Sequence, residues 1–261
     1  MTGVKIRSIL VAAAVATGAF GAGATSALAA GPRAVIELFT SQGCSSCPPA
    51  DRLLGQLAQD PSLIALSVPV DYWDYLGWKD TLALPVDSVR QRDYAVARGD
   101  REVYTPQVVI NGMVHALGSN KDAIEDAIVK TRRESDPLSL PVSVKVDDGT
   151  ITVAVPAATG EHTSGEVWLC PVTAKARVSI GRGENRGRTV VYHNVVRRWV
   201  KLGAWHGKAE TFRVKLATLP DARFSIADID RAAVLLQSGS AQRPGMILGA
   251  AMTSVPAAAV R

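Results

Sequence analysis

The residues with the clearest capacity for chemistry are Cys44 and Cys47, three positions apart in the stretch T-S-Q-G-C-S-S-C-P-P-A-D (40–51). A C-x-x-C pair suits three kinds of site: an exchangeable disulfide, a stable structural disulfide, or a metal site. Closing so small a ring removes little entropy from the unfolded chain, so the loop-closure model assigns it little stabilisation. The spacing therefore favours an exchangeable pair over a purely structural one, and metal binding stays open.

The two cysteines are expected to have different roles. In such motifs the first cysteine is usually the exposed one, so we expect Cys44 to attack a partner disulfide and Cys47 to resolve the mixed disulfide. Unpaired amide groups at a helix start stabilise a thiolate and lower the pKa of its thiol. Pro48 and Pro49 lack an amide hydrogen but are tolerated in a first helical turn. The helix should therefore begin at about Pro48, with Cys47 near its cap, and the pKa depression of Cys44 should be modest.

Acidic and aromatic side chains follow the second predicted strand. A buried carboxylate at Asp71 or Asp74 could take the proton of Cys47, although capping of the loop is the simpler explanation. The run Y-W-D-Y-L-G-W (72–78) is dense for a chain with only 5% aromatic residues. It could cover the thiol groove and hold an extended partner segment, or it could anchor the loop by ring burial. Both roles are compatible.

A metal site is one alternative for the pair, beside a stable disulfide. Two thiolates and one histidine suit Cu(I). The four histidines are His115, His162, His193 and His206, and none is spaced as a cluster with a cysteine. His115 is the best placed, because it follows the third predicted strand. We expect no metal and no organic cofactor, since electrons can move between sulfurs alone.

The elements that must position the pair alternate between strands and helices. Strands are predicted at 34–40, 63–70, 105–112 and 113–117, and helices after Pro48, over 86–98 with Gly99 as the stop, and after a Ser119 cap. The order is β-α-β-α-β-β-α. Residues 134–141 contain two prolines and no periodic face, so we predict a linker at 136–141.

Residues 142–255 alternate apolar and polar side chains in short runs. A hairpin is predicted at 142–155 around Asp147-Asp-Gly149, with further strands at 167–169, 189–196, 212–216 and 233–237. This spacing is typical of an antiparallel β-sandwich. The stretch G-R-G-E-N-R-G-R (181–188) lacks the ending of a phosphate-binding loop and is predicted to be a hairpin turn. Cys170, in a strand-like stretch, is predicted to be a buried, inert thiol, with an intermolecular bond or a relay role as the alternative.

Composition and charge further limit the possible locations and partners of the protein. Lys5 and Arg7, an apolar stretch and Ala27-Leu-Ala29 predict a secretory signal at 1–29 and hence a protein secreted or held in the cell envelope. No later segment is long enough for stable membrane insertion. Residues 31–140 carry 11 Lys plus Arg against 15 Asp plus Glu, and residues 141–261 carry 16 against 9. Charge at this density is usually a solvated surface, and nucleic acid is not an expected partner.

Longer motifs around these residues carry a family resemblance. The stretches E-L-F-T-S-Q-G-C-S-S-C-P-P-A-D, D-Y-W-D-Y-L-G-W-K-D, Y-T-P-Q-V-V-I-N-G and G-E-N-R-G-R-T-V-V-Y-H-N-V-V resemble the secreted bacterial proteins of domain-of-unknown-function family 1223. The resemblance implies a thioredoxin-like domain at 32–135. It also implies that Thr105 and Pro106 face the disulfide, with the proline usually cis, and present backbone to a substrate. C-S-S-C-P-P replaces the C-G-P-C type of loop, and the intervening residues influence the redox potential.

These observations combine into one expectation. The fold is α/β, a thioredoxin-like N-terminal domain followed by an antiparallel β-sandwich C-terminal domain. The expected function is thiol-disulfide exchange with protein partners, with Cys44 as nucleophile, Cys47 as resolving thiol, and the Thr105-Pro106 loop facing the substrate. The alternative is a thioredoxin-fold module that binds or delivers copper, or an interaction protein whose disulfide does not turn over.

Overall fold

The computed structural model describes residues 31–256 and 259. The predicted secretory signal at 1–29 lies outside the described residues. Within the part described, no helix combines the length and apolar character needed to cross a membrane.

The N-terminal half has the predicted element order. Its strands and helices are β1 (Ala34–Thr40), α1 (Pro48–Leu57), β2 (Leu63–Pro69), α2 (Pro85–Arg98), β3 (Gln107–Ile110), β4 (Val114–Leu117) and α3 (Lys121–Ser135). Every residue of β1 and β2 is buried. Both faces of this part of the sheet are therefore covered, which explains why their sequences are nearly continuous apolar runs.

The helix ends follow local sequence signals. Helix α1 begins at Pro48 with Cys47 as its cap, as predicted. Helix α2 stops at Gly99, whose φ of 80° is left-handed and suits glycine. The cap of α3 is one residue later than predicted: the Asn120 side chain, rather than that of Ser119, accepts a hydrogen bond from Ala123 N.

The C-terminal half consists of strands. They are β5 (Ser143–Asp147), β6 (Thr150–Val155), β7 (Gly165–Ser179), β8 (Thr189–Val196), β9 (Val200–Trp205), β10 (Glu210–Lys215), β11 (Arg231–Ser240) and β12 (Arg243–Ser254). The predicted hairpin is β5–β6, with Val144 opposite Val153. Strands β9 and β12 were not predicted. Strand β12 lacks a simple alternation because its middle residues, 247–250, are all buried.

The strands form two sheets. The larger has the order β12-β11-β7-β8-β2-β1-β3-β4, with β9 also paired to β7, and the smaller has the order β10-β6-β5. Strands β2 and β8 join the two halves through a short parallel pairing, Ser67 with Val195. The smaller sheet packs on the larger through an apolar core that includes Ile151, Trp205 and Val234.

The segment predicted as a linker and the larger sheet both connect the two halves of the chain. Leu138 N donates to Ile247 O and Leu140 N donates to Leu248 O, so residues 136–141 are hydrogen-bonded to β12. Strands from both predicted domains, 32–135 and 142–255, belong to the larger sheet. At the edge of β2, backbone groups pair with β8, and local sequence periodicity does not reveal such a pairing.

Candidate functional site

The candidate site is the loop between β1 and α1. Cys44 and Cys47 form a disulfide there, with their Cα atoms 5.4 Å apart. Cys44 N donates to Ser41 O, and Cys47 N donates to Cys44 O, which makes the loop a tight turn. Ala50 N and Asp51 N both donate to Cys47 O, so the second cysteine is tied to the first turn of α1. The sequence prediction that the pair lies where a strand feeds a helix is confirmed.

Both cysteines are buried in this disulfide-bonded form. Cys44 is 1% exposed and Cys47 is fully buried, whereas Ser45 and Ser46 are exposed. The expectation that Cys44 is the exposed thiol is therefore wrong for the oxidised protein. The hydroxyl of exposed Ser46 lies 3.4 Å from Cys44 Sγ.

The loop that contains Thr105 and Pro106 lies beside the disulfide. Ser46 Oγ donates a long hydrogen bond of 3.4 Å to Thr105 O. The Thr105–Pro106 peptide bond is cis, and Pro106 is buried. The structure therefore brings together Cys44, Cys47, Thr105 and Pro106, which are 58 or more positions apart between the two loops.

The aromatic run connects these two loops. Trp73 Nε1 donates to Thr105 Oγ1 at 2.8 Å. A Cβ on Gly43 would lie 2.9 Å from Trp73 Cβ, so the cysteine loop closely approaches the tryptophan. Tyr75 stacks on Trp73 with ring centroids 6.4 Å apart and is 78% exposed. Trp73 thus anchors the loop, while Tyr75, stacked on Trp73, offers an exposed aromatic surface.

The buried carboxylates at the site are not the predicted ones. Asp71 accepts a hydrogen bond from the Ser88 hydroxyl and Asp74 accepts one from Asp80 N, so both cap local structure. Asp51 and Asp80 are the buried acids next to the cysteine loop. The sequence signal for Asp51 was its position one helical turn after Cys47, where a side chain turns back toward the start of the helix.

Burial dominates the protonation of both acids. Burial raises the pKa of Asp51 to about 8; the hydrogen bond from Thr40 Oγ1 opposes this shift and the charge of Asp80 adds to it. Asp51 Oδ2 is buried and has no hydrogen-bond partner among the described residues. Burial likewise raises the pKa of Asp80 to about 6, against hydrogen bonds from the backbone amides of Gln42, Leu82 and Ala83. Asp51 is thus mainly a protonated acid at neutral pH.

Asn185 reaches the cysteine loop from the other half of the chain. Its Nδ2 donates to Gln42 O at 2.9 Å and to Cys44 O at 2.8 Å. Its Oδ1 is buried with no hydrogen-bond partner among the described residues. Residues 181–188 form the predicted turn, between β7 and β8, with Gly187 N donating to Ile180 O. Sequence reasoning missed the role of Asn185, because no local pattern relates it to a loop 141 positions away.

The remaining candidate residues lie outside this cluster. His115 shares a hydrogen bond of 2.9 Å with the Tyr104 hydroxyl and lies 3.3 Å from Asp100. Cys170 is fully buried, and burial raises the pKa of its thiol, as predicted for an inert cysteine. Within residues 31–256 and 259, no three or more His, Cys, Asp or Glu side chains are grouped as a metal site would require.

Comparisons with known proteins give a family and a fold. A family model described as a protein of unknown function, DUF1223, matches residues 35–237. An X-ray structure of a protein from Agrobacterium tumefaciens is 33% identical, covers 85% of this chain and 94% of that one, and superposes with a TM-score of 0.73. HBP35 of Porphyromonas gingivalis is 12% identical, covers 86% of this chain and 76% of that one, and has a TM-score of 0.55. No curated protein matches the chain.

Proposed function

Since this chain belongs to the DUF1223 family, whose description assigns no reaction, we propose from its cysteine loop that it is a thiol-disulfide oxidoreductase acting on protein partners. The observation that carries the proposal is the Cys44–Cys47 disulfide at the junction of β1 and α1, beside the Thr105–Pro106 loop. A purely structural cross-link over three residues would contribute little stability, which supports a role in exchange.

The proposed reaction has two steps. The Cys44 thiolate attacks a partner disulfide; a Cys44–partner S–S bond forms, the partner bond breaks, and one partner sulfur leaves as a thiolate. Cys47 then attacks the Cys44 sulfur, forming the intramolecular disulfide and releasing the second partner thiolate. The partner gains two electrons and the Cys44–Cys47 dithiol loses two. The same steps in reverse convert a partner dithiol into a disulfide and reduce the Cys44–Cys47 disulfide.

Asp51 is the group proposed to handle the proton of Cys47. Its carboxyl is buried one helical turn after Cys47, and its pKa of about 8 leaves it mainly protonated at neutral pH in the oxidised protein. When the disulfide opens, Asp51 can give this proton to the Cys47 sulfur. When Cys47 attacks, the carboxylate takes the proton back. Asp51 Oδ2, which has no hydrogen-bond partner among the described residues, is the oxygen proposed to carry the proton.

The substrate is proposed to bind along the loop of Thr105 and Pro106. Trp73 holds the Thr105 hydroxyl and Ser46 contacts its carbonyl, so this backbone is positioned beside the disulfide. An extended peptide could pair with it, as strands pair at a sheet edge. The proposal includes a thioredoxin-like unit at 32–135 and a β-sandwich at 142–255; the order β-α-β-α-β-β-α and the core between the two sheets support it.

Location in the cell envelope or outside the cell is also part of the proposal. It is supported by the leader-like composition of 1–29 and by the redox chemistry, since disulfides persist in oxidising compartments.

Insulin reduction in the presence of a dithiol tests the function. We expect the parent protein to accelerate the reaction and Cys44→Ser to be inactive. Cys170→Ser is the matched control, because that thiol is buried and takes no part in exchange, and it should keep the parent rate. Absence of activity in the parent, together with tight Cu(I) binding that Cys44→Ser removes, would support the copper-binding alternative instead.

A trapping experiment identifies the partner. Cys47→Ser should accumulate a mixed disulfide between Cys44 and its client in cells, because the resolving thiol is missing. The adduct should disappear on addition of reductant and should not form with Cys44→Ser/Cys47→Ser.

A further inference from the structure

A basic turn borders the buried disulfide. The turn 181–188 is held to the cysteine loop by the Asn185 hydrogen bonds to Gln42 O and Cys44 O. Three arginines surround Asn185 in this turn, and all three are exposed: Arg182, Arg186 and Arg188. In the described part of the chain, none of them has an acidic side chain within ion-pair distance. Three arginines without an ion-pair partner among the described residues therefore flank the asparagine that contacts the backbone of the nucleophilic cysteine.

The same turn lies against the aromatic segment. A Cβ on Gly181 would lie 3.1 Å from the Trp78 ring, and one on Gly183 would lie 3.4 Å from Trp78 Cβ. Trp78 Nε1 donates to Gln42 Oε1, which joins the turn, the tryptophan and the cysteine loop into one surface. Exposed Tyr75 belongs to this segment, and exposed Lys79 directly follows it.

Among the described residues, the acidic side chains close to this surface form no ion pair with its cations, and two of them accept hydrogen bonds from backbone amides instead. Asp51 is buried and mainly neutral. Asp80 is also buried, and its carboxylate accepts hydrogen bonds from the backbone amides of Gln42, Leu82 and Ala83. Asp74 accepts the Asp80 amide hydrogen. Glu184 is the acid within the turn, and its side chain has no ion-pair partner among the described residues. The turn itself thus carries one carboxylate and three exposed arginines.

We propose that this surface, defined by Tyr75, Lys79, Arg182, Arg186 and Arg188, docks an acidic polypeptide segment that carries the partner's cysteine or disulfide. The proposal rests on the proposed exchange function and names its partner class. Arginine presents a planar set of donors that suits carboxylates, and an exposed aromatic ring supplies apolar contact at small entropic cost. A basic surface beside a recessed reactive group also raises the encounter rate with anionic partners.

Small disulfides of different charge test the proposal without a known partner. The reduced protein is mixed with oxidised glutathione, which is anionic, with cystamine, which is cationic, and with hydroxyethyl disulfide, which is neutral. In each reaction the probe accepts two electrons and yields two thiols while the Cys44–Cys47 disulfide forms. Rates are divided by those of dithiothreitol with the same probes, which removes intrinsic reactivity. We expect a normalised preference for the anionic over the cationic probe of about tenfold or more at low salt, falling as salt is added.

Three variants assign the preference to the turn. Arg182→Gln/Arg186→Gln/Arg188→Gln should lose it, whereas the corresponding lysine variant should keep it because charge is retained. The matched control, Lys145→Gln/Arg213→Gln/Lys215→Gln, removes three exposed cations from the smaller sheet and should also keep the parental preference.

The outcomes separate the two proposals. If the normalised rates are equal for all three probes, the acidic-partner inference is overturned and the exchange function stands. The same conclusion follows if the preference for the anionic probe survives in the glutamine variant of the turn. Failure of the reduced parent to react with any of the three probes overturns both.

Discussion

At the residue scale, a buried carboxyl makes stability depend on pH. In the unfolded chain Asp51 has its ordinary pKa near 3.8, and burial raises the folded pKa to about 8. Between these values the folded state binds more protons than the unfolded state, so the free energy of unfolding falls as pH rises. Asp80, with a folded pKa of about 6, adds to this fall over the lower part of the window.

We predict that Asp51→Asn flattens this pH dependence. Between about pH 4 and pH 8, unfolding releases one proton per molecule from the Asp51 carboxyl. The free energy of unfolding of the parent should therefore fall by up to about 1.4 kcal/mol per pH unit through this group. The amide that replaces the carboxyl cannot titrate, so this component should vanish in urea unfolding curves measured across that range. An unchanged slope in the variant would mean that Asp51 is ionised in the folded protein.

Asn185 is a positioning residue for the cysteine loop. In Asn185→Ala the carbonyls of Gln42 and Cys44 lose their shared donor, which should cost about 1–3 kcal/mol of stability. Because the loop is also released, the reduced variant should be alkylated at Cys44 faster than the parent. Asn194→Ala is the control: it removes the buried hydrogen bond to Ala65 O and the one accepted from Arg231, and should lower stability without changing the alkylation rate. Equal alkylation rates in all three proteins would remove Asn185 from the site.

At the element scale, β12 is held closely against the segment that precedes β5. The carbonyls of Ile247 and Leu248 accept hydrogen bonds from Leu138 N and Leu140 N. Gly249 lies where a Cβ would overlap the Leu140 carbonyl and would lie 2.7 Å from a Val142 methyl. Only a residue without a side chain permits this approach of two backbones.

We therefore predict that Gly249→Ala is destabilising by about 1–3 kcal/mol, since the backbone must shift to relieve the overlap. Thermal or urea unfolding measures the change. Gly31→Ala is the matched control, because the nearest atom to its added Cβ would be at 3.9 Å, an ordinary contact. Equal stability of Gly249→Ala and the parent would argue that the 136–141 segment is free of β12 in solution.

At the scale of the whole molecule, a buried polar network joins the two halves. Arg90 on α2 forms an ion pair with Glu37 on β1 at 2.7 Å and donates to Gln237 on β11 at 3.0 Å. Tyr94 donates to Glu37 and accepts from Gln237, so the four side chains form a ring of hydrogen bonds. The guanidinium also lies 4.1 Å from the centre of the Trp199 ring. The larger sheet is thus fixed across both halves by charge as well as by strand pairing.

Arg90→Met should cost about 3–5 kcal/mol, because Glu37 would be left as a buried carboxylate without a charged partner. Chemical unfolding followed by tryptophan emission and by far-ultraviolet circular dichroism measures the loss. The double variant Glu37→Leu/Arg90→Met should recover part of it, since no unpaired charge remains. If the single variant is as stable as the parent, the network does not contribute to joining the halves.

Short-range patterns determined a large part of this protein. The alternation of strand and helix from Ala34 to Ser135, the start of α1 at Pro48, the β5–β6 hairpin and the placement of the cysteine pair all depend on residues within a few positions of one another. Local sterics, capping and periodicity act over such windows, so the amino-acid order alone was sufficient to predict them.

Tertiary packing decided the rest. Burial of Cys44 in the oxidised form, the raised pKa of Asp51, the hydrogen bonds from Asn185 and the pairing of β2 with β8 all need segments far apart in the chain to meet. A side chain's exposure and protonation depend on what covers it, and the covering groups come from distant elements whose approach no local pattern encodes. The reactive pair and the basic turn were therefore visible in the sequence. The buried acid beside the pair, the asparagine that holds its loop and the position of the turn at its border became visible only in the folded chain.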